Sequence, residues 1–255
     1  MKKFLFIITF FYLIQIQAQA YQNGEFLKYR IHYGWINAGE ATLKLEEKYM
    51  SGKKMYHAVG KGRTTSLAAW VIKVNDLYET YFDEHNRPFR FIRNIHEGNY
   101  KKNVEFIFNH DNHTLQVIDK LTNKVRQFKV QPGIQDMLSV YYKLRNIDTD
   151  TLKTGDYITE TLFFDYDTFR FKMKILGRQV IKTKFGYIKT LVLRPYVEAE
   201  RVFKEEESLT VWVTDDKNKI PVRIQAKLLV GSIKADLVEF RNIKYPLYFS
   251  KSRHF

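Results

Sequence analysis

The chain has 255 residues and no cysteine, and its 42 Lys and Arg residues against 28 Asp and Glu give a formal net charge of +14. The lack of cysteine excludes disulfide scaffolds, thiolate metal sites and cysteine nucleophiles. A hydrophobic content of 45% argues against disorder. The length is sufficient for one large β domain or two small ones with a sizeable core.

The N-terminus has the features of a cleaved export signal. Positive residues 2–3 precede an unbroken apolar run over residues 4–14, and a small-x-small pattern ends at Ala20. A helix of this apolar length spans roughly 17 Å, against about 30 Å for a bilayer core, which argues against a membrane anchor. We therefore expect a signal peptide over residues 1–20 that is cleaved near Ala20, a periplasmic location, and a single β-rich domain over residues 21–255.

The positive charge has three interpretations. Nucleic-acid binding conflicts with export and lacks the motif of any nucleic-acid module, so no nucleic-acid partner is expected. Attraction to an anionic envelope surface of lipid or polysaccharide head groups fits the compartment. A solvated lysine-rich surface that only confers solubility is the third interpretation. The last two remain open.

Alternation of apolar and polar residues predicts strands along most of the mature region. The clearest hairpin joins residues 209–214 to a strand that starts at Pro221, where the missing N–H is tolerated. This second strand is expected to reach Val230, with Gly231 and Ser232 as a two-residue turn. On the order of eleven or twelve strands follow from this pattern. They cover residues 25–33, 40–49, 104–108, 114–118, 125–130, 159–164, 169–175, 179–183, 187–193, 209–214, 220–230 and 233–239.

One segment has helical spacing instead. Apolar residues recur at i, i+3, i+4 and i+7 over residues 134–147, which predicts a helix of about three turns. Asp136 near its start and Arg145 near its end suit the helix dipole. Residues 66–73 are compatible with a second, shorter helix or with a strand, and both alternatives remain open. Because a large antiparallel sheet cannot stay flat, we predict a mainly β fold: a curved antiparallel sheet, as a half-barrel or barrel, wrapped around one or two helices.

Several segments resemble a known family. They are GEFLKY (24–29) with GWINAGE (34–40), QDMLSVYYKLR (135–145), LTVWVTDD (209–216), and IPVRI (220–224) with VGSI (230–233). Together they resemble the bacterial family called domain of unknown function 3108, over nearly the whole mature chain. The resemblance implies an exported, β-rich protein with no settled activity. The half-barrel of periplasmic lipoprotein carriers is similar in outline, by analogy of topology only.

Residues that could carry chemistry fall in predicted turns. His110 and His113 lack the helix that would align them on a metal, and residues 215–216 are turn formers as readily as calcium ligands. Asp165 and Asp167 could mimic a paired-carboxylate site, but they lie at a hairpin tip. Nucleophile-elbow, Walker and dinucleotide motifs are absent. We predict no catalytic residue, no metal and no cofactor.

Aromatic residues make up 16% of the chain and suggest a ligand cavity. A strand face that carries them can be core or can line a cavity for an apolar ligand. The candidates for the cavity wall are Trp35, Trp70, Met137, Tyr141 and Trp212. Trp212 points away from Val211 and Val213, so either both faces of its strand are buried or it faces a groove.

The leading hypothesis is a non-enzymatic periplasmic protein that binds a lipid or hydrophobic ligand in a concavity of the sheet. One alternative is an envelope scaffold or assembly factor that binds a protein partner by a sheet edge. A polysaccharide hydrolase is the second alternative.

Overall fold

The computed structural model describes residues 19–50, 52–65, 68–70, 72–197 and 209–253. Within them the protein is mainly β, with one α-helix and a single antiparallel sheet of fourteen strands, as the sequence predicts. Residues 1–18, which hold most of the predicted signal peptide, lie outside the described residues. No helix in the described part of the chain is long and apolar enough to cross a membrane.

The strands fall into two series separated by the helix. The first series is β1 (Phe26–Tyr33), β2 (Ile36–Met50), β3 (Lys53–Thr64), β4 (Asn75–Phe82), β5 (Pro88–Glu97), β6 (Tyr100–Asn109), β7 (Thr114–Asp119) and β8 (Lys124–Lys129). The helix α1 (Met137–Arg145) follows. The second series is β9 (Tyr157–Phe164), β10 (Asp167–Thr183), β11 (Gly186–Val197), β12 (Leu209–Thr214), β13 (Pro221–Lys227) and β14 (Ser232–Arg241).

The structure corrects several predicted boundaries. Strands β3, β4 and β5 were not assigned from the sequence, and the strands predicted over 169–175 and 179–183 are one strand with a bulge between Ile175 and Gly177. Strand β13 ends at Lys227, not Val230, because residues 228–231 form the turn. In place of the short helix or strand predicted over 66–73, the described residues of this segment form a 3₁₀ turn at Ala68–Trp70.

Each series is a meander, and the two join at the chain ends. The order across the sheet is β8-β7-β6-β5-β4-β3-β2-β1-β14-β13-β12-β11-β10-β9. Strand β1 pairs with β14 from Phe26 opposite Arg241 to Tyr33 opposite Ile233. Strands β8 and β9 are therefore the two edges, and the chain between them contains α1.

The sheet curls until its edges approach each other. Phe163 of β9 lies 5.4 Å from Phe106 of β6 and 5.1 Å from Phe128 of β8, measured between ring centroids. No ladder joins the described strands β8 and β9. Instead, the Gln135 N–H donates to the Thr161 carbonyl and the Gln135 carbonyl accepts from the Phe163 N–H, both at 2.9 Å. The sheet is thus not closed into a barrel, and the segment leading into α1 lies along the β9 edge.

The start of α1 is fixed to the sheet by a buried cap. The Asp136 carboxylate accepts from the N–H groups of Leu138 and Ser139 at 2.8 Å and from the Thr80 hydroxyl of β4 at 2.6 Å. The Ser139 hydroxyl accepts in return from the Asp136 N–H, which completes a capping box. Burial raises the pKa of Asp136 to about 6, although these hydrogen bonds oppose the shift. Leu138 of α1 lies over Gly60 of β3, where an added Cβ would make an ordinary contact at 3.6 Å.

Candidate ligand-binding cavity

A cavity of about 450 Å³ lies between α1 and the inner face of β9–β13. This volume is within the range of about 300–1,000 Å³ that is usual for ligand pockets. Four residues on its wall have polar side chains, namely Tyr141, Arg145, Thr149 and Lys219. The rest of the wall is apolar: Met137, Val140, Leu144, Ile158, Leu162, Phe164, Phe169, Phe171, Met173, Leu191, Leu193, Pro195, Leu209, Val211, Val213, Pro221 and Ile224.

The strand side of the wall follows directly from alternation. Val211 and Val213 of β12 stand opposite Leu193 and Leu191 of β11, and Ile224 of β13 stands opposite Val211. Because successive side chains point to opposite faces, these residues share the inner face of the sheet. Together with Phe164, Phe169 and Phe171 of β9 and β10, they enclose a gap beneath the helix.

The helix contributes the opposite wall. Met137, Val140, Tyr141 and Leu144 follow one another at helical spacing and line the cavity together. Leu138 points elsewhere and packs against the aromatic cluster between β5 and β9. The helix therefore divides the interior into two sides. We call the side between α1 and β5–β8 the filled side and the side between α1 and β9–β13 the open side.

Arg145 lies on the cavity wall, yet its N–H groups are all committed to the protein. Its two Nη atoms donate to the two carboxylate oxygens of Glu25 at 2.5 and 2.8 Å. Its Nε donates to the Asn218 carbonyl at 2.8 Å, and further bonds reach the Ala20 carbonyl at 3.1 Å and the Tyr141 hydroxyl at 3.4 Å. A guanidinium has five N–H donors, so none remains for a ligand. The Arg145 and Glu25 side chains are only 2% and 1% exposed, and the pair ties α1 to the N-terminal segment.

Lys219 is the second cation on the wall, and its situation is different. It ends the turn between β12 and β13, with a left-handed φ of 49°, and it is half-buried. Burial lowers the pKa of Lys219, while the carboxylates of Asp150, Asp148 and Asp216 oppose that shift. Within the described part of the chain its ammonium group forms no hydrogen bond or ion pair. Lys219 can therefore meet a polar group of a ligand, whereas Arg145 cannot.

The aromatic candidates from the sequence are dispersed. Met137 and Tyr141 line the cavity. Trp35 lies in the turn between β1 and β2, does not line the cavity, and is 90% exposed. Trp70 belongs to the 3₁₀ turn, and its side chain lies outside the described residues. The structure thus keeps Met137 and Tyr141 as cavity candidates and removes Trp35 from the set.

Trp212 also lies outside the cavity. Its neighbours Val211 and Val213 line the wall, so the indole is on the opposite face of β12. There it is half-buried, and its ring N–H donates to Gln179 Oε1 at 2.9 Å. Trp212 is thus a partly buried side chain packed on the face of β12 opposite the cavity. The aliphatic wall was missed because alternation identifies a face without revealing whether the space above it is filled.

The Asp and His side chains considered for catalysis or metal binding form structural contacts instead. Asp165 pairs with both Lys102 and Arg93, the latter at 2.7 Å. His110 Nε2 lies 2.7 Å from the Pro88 carbonyl oxygen. Among the described residues no group of three His, Asp or Glu side chains is placed to hold a metal ion.

The Asp-rich turn after β12 is likewise stabilised from within. The Asp216 carboxylate accepts from the Thr214 hydroxyl at 2.7 Å and from the Asn218 N–H at 2.8 Å. Asp215 pairs with Arg178 at 3.1 Å. These carboxylates therefore shape the turn that carries Lys219 to the cavity.

Comparison with known proteins gives a family and a fold. The model of DUF3108, described as a protein of unknown function, matches residues 28–238. A β-barrel-like protein of domain of unknown function DUF1849 from Brucella abortus is similar with a TM-score of 0.57 and 11% identity, covering 89% of this chain and 100% of that one. At this identity the likeness concerns the fold alone. No curated protein matches the sequence.

Two further solved structures are more distant. A candidate lipoprotein from Parabacteroides distasonis has a TM-score of 0.38 at 9% identity and covers 88% of this chain and 98% of its own. A candidate exported protein from Bacteroides fragilis has a TM-score of 0.36 at 7% identity and covers 87% of this chain and 97% of its own.

Proposed function

The chain belongs to the DUF3108 family, whose function is unknown, and from that premise we propose that it is a non-enzymatic periplasmic protein that binds an apolar or lipid-like ligand. Membership confirms the family resemblance of the sequence segments. The single observation that carries the proposal is the apolar cavity of about 450 Å³ between α1 and β9–β13. The export signal in the sequence supports the compartment.

The energetics of such a site favour a hydrocarbon chain. Removing apolar surface from water contributes about 25 cal/mol per Å², or about 0.8 kcal/mol per buried CH₂ group. The walls are a helix with a buried cap and a continuous sheet, so the site is formed before the ligand arrives and little ordering cost accompanies binding. Binding and release then require no catalytic group.

Lys219 gives the cavity one polar end. Its ammonium forms no hydrogen bond or ion pair among the described residues, and a carboxylate or other acidic head group would provide one. Arg145 does not compete, because Glu25 already neutralises it. A single-chain amphiphile with an acidic head therefore matches the wall better than a fully apolar molecule.

The alternative of a protein partner at a sheet edge is less well supported by the two edges. The exposed side chains of β8 include Lys124, Arg126 and Lys129, and charged edges resist strand addition. The β9 edge is already bonded to Gln135. For the hydrolase alternative, the described cavity wall offers no carboxylate, imidazole or serine hydroxyl.

Two variants of β12 test occupancy of the cavity. Val211→Trp places an indole inside it, whereas Thr210→Trp places the same bulk on the opposite face. We expect Val211→Trp to weaken binding of a fluorescent polyene fatty acid by about tenfold or more, because the ring occupies space that the chain needs. Thr210→Trp should bind as the wild type does.

The ligand itself can be sought by extracting the purified protein with organic solvent and identifying the extract by mass spectrometry. A wild-type protein that yields no lipid and ignores the fatty acid would refute the proposal. Equal binding by both tryptophan variants would place any ligand elsewhere.

Lys219→Met tests the polar end separately. The substitution keeps an unbranched chain on the wall but removes the charge. We expect it to weaken binding of a long-chain fatty acid and to leave binding of the fatty alcohol of equal length unchanged. A parallel loss for both compounds would show that Lys219 acts through packing and not through its charge.

A further inference from the structure

Two neighbouring turns expose a cluster of apolar side chains at one end of the sheet. Leu229 is fully exposed, Trp35 is 90% exposed and Val230 is 74% exposed. The cluster, called here the apolar tip, consists of Tyr33, Trp35, Ile36, Leu228, Leu229, Val230 and Ile233, all at least 38% exposed. Its members come from the β1–β2 turn and the β13–β14 turn.

The two turns are held side by side. Strand β1 pairs with β14, which places Tyr33 opposite Ile233. The Tyr33 hydroxyl also donates to the Val230 carbonyl at 3.0 Å. Gly231, with φ of 76°, lies against the Tyr33 ring, since a Cβ there would come within 2.7 Å of its hydroxyl oxygen. The tip is therefore one surface and not two unrelated loops.

The backbone of the β13–β14 turn does not require aliphatic residues. The turn is made by the left-handed conformation of Gly231 and by a hydrogen bond from the Leu228 N–H to the Gly231 carbonyl at 3.1 Å. Leu229 and Val230 make up its exposed part, where Asn, Asp or Ser would serve equally well. A contiguous apolar patch on a soluble surface marks an interaction site.

The chemistry of the tip fits a lipid surface. Tryptophan prefers the boundary between head groups and acyl chains, and leucine and valine reach below it. Lys227 and Lys234 flank the patch, and neither forms an ion pair within the described ranges. Basic residues beside an apolar insert attract anionic head groups.

We propose that the apolar tip inserts into the surface of a bilayer that contains anionic lipid. The proposal goes beyond the binding function, and it stands on the tip alone. The topology nevertheless relates the two sites. In an antiparallel meander alternate turns share one end of the sheet, so the ends of β9, β11 and β13 lie at the end that carries the tip. Cavity residues Phe164, Pro195 and Leu209 lie towards that same end.

The natural absence of cysteine makes the test direct. The full chain carries a single cysteine, either Leu229→Cys or the control Tyr49→Cys, labelled with an environment-sensitive fluorophore. Tyr49 is 74% exposed and lies beside the β2–β3 turn at the opposite end of the sheet. With vesicles of phosphatidylethanolamine and phosphatidylglycerol, the label at position 229 should shift to the blue and be quenched by acyl-chain bromines. The label at position 49 should show neither effect.

Substitutions complete the test. Leu229→Ser with Val230→Ser should reduce co-flotation with these vesicles about tenfold or more, and Tyr49→Ser should not change it. Equal responses of the two labels, or no flotation of the wild type, would overturn the proposal. A concentration-dependent dimer that disappears in the double variant, without vesicle binding, would make the tip a self-association surface instead. Val211→Trp should float like the wild type, which separates failure of the tip from failure of the cavity.

Discussion

The filled and open sides of the interior are built from the same kind of alternating strand, yet only one is solid. On the filled side, rings pack on rings: Phe91 lies 5.3 Å from Phe106, and Phe106 lies 5.4 Å from Phe163. On the open side, strands β11 and β12 present Leu and Val at the equivalent inward positions. The helix α1 presents apolar side chains to the filled side and to the open side. The same alternating pattern therefore accompanies both a solid and an open interior, and it does not by itself determine where a cavity forms.

The largest effect is expected at the boundary of the two sides. Arg145→Met removes the cation from a buried pair and leaves the Glu25 carboxylate uncompensated, which typically costs about 3–5 kcal/mol. Urea denaturation should show this loss in the free energy of unfolding. The control Lys54→Met removes an exposed partner of Glu47 and should cost under about 1 kcal/mol. Equal losses would mean that the buried pair does not hold the helix in place.

One substitution on each side tests whether the filled side is packed more tightly than the open side. Leu115→Ala empties a fully buried position of the filled side and should cost about 3–4 kcal/mol. Leu193→Ala removes the same atoms from the cavity wall, where contacts are already missing on one side, and should cost about 2 kcal/mol or less. Denaturation of both variants measures the difference. If the two losses are equal, the open side is packed as tightly as the filled side.

The cap of α1 predicts a pH dependence. The pKa of Asp136 is raised from 3.8 to about 6, so the folded state holds this proton more tightly than the unfolded chain does. Its contribution to stability is complete below about pH 4 and is lost as the pH rises through 6, an effect on the order of 2–3 kcal/mol. Asp136→Asn keeps a good N-cap and should flatten this dependence in denaturation at pH 4 to 7. Asp119→Asn, at the end of β7 and outside the cap of α1, should retain it.

The smallest effect is expected at the apolar tip. Leu229→Ser changes a fully exposed side chain, so the free energy of unfolding should shift by no more than about 0.5 kcal/mol. Thermal denaturation checks this. A larger loss would mean that Leu229 serves the fold, as Leu115 does, and not a surface function.

Local features were predictable from the sequence, and non-local ones were not. Strand β12 matches its predicted range, β13 starts at Pro221 as expected, and the helix lies within its predicted span with Asp136 near its start. Strands β3 and β4 were not predicted, because their inward positions include Gly60 and Thr80 and so interrupt the apolar alternation. Both residues lie beneath α1, and Thr80 donates to Asp136 there, a contact that no local pattern reveals.

The cavity and the apolar tip were also beyond what local patterns predict. The excess of aromatic residues indicated a site for a ligand, but several of those rings, among them Phe91, Phe106 and Phe163, fill the interior on the other side of the helix. Leu229 and Val230 read as the end of a strand, since alternation continues up to Gly231. Their exposure depends on β13 ending at Lys227. Both features are set by how distant segments meet, and a single sequence does not record that.

The pairing of β1 with β14 has a consequence for the order in which the chain can assemble. The Asn242 side-chain amide donates to the Gly24 carbonyl at 3.2 Å, so the two ends of the sheet-forming chain are adjacent. Joining the chain with a linker that keeps residues 19–23 and 243–253, and opening it near Gly133, would produce a circular permutant in which the fourteen strands follow one another in their order across the sheet. In the natural connectivity the central seam has the greatest sequence separation and closes only after β14 is available. The permutant should therefore fold faster while keeping the same final architecture.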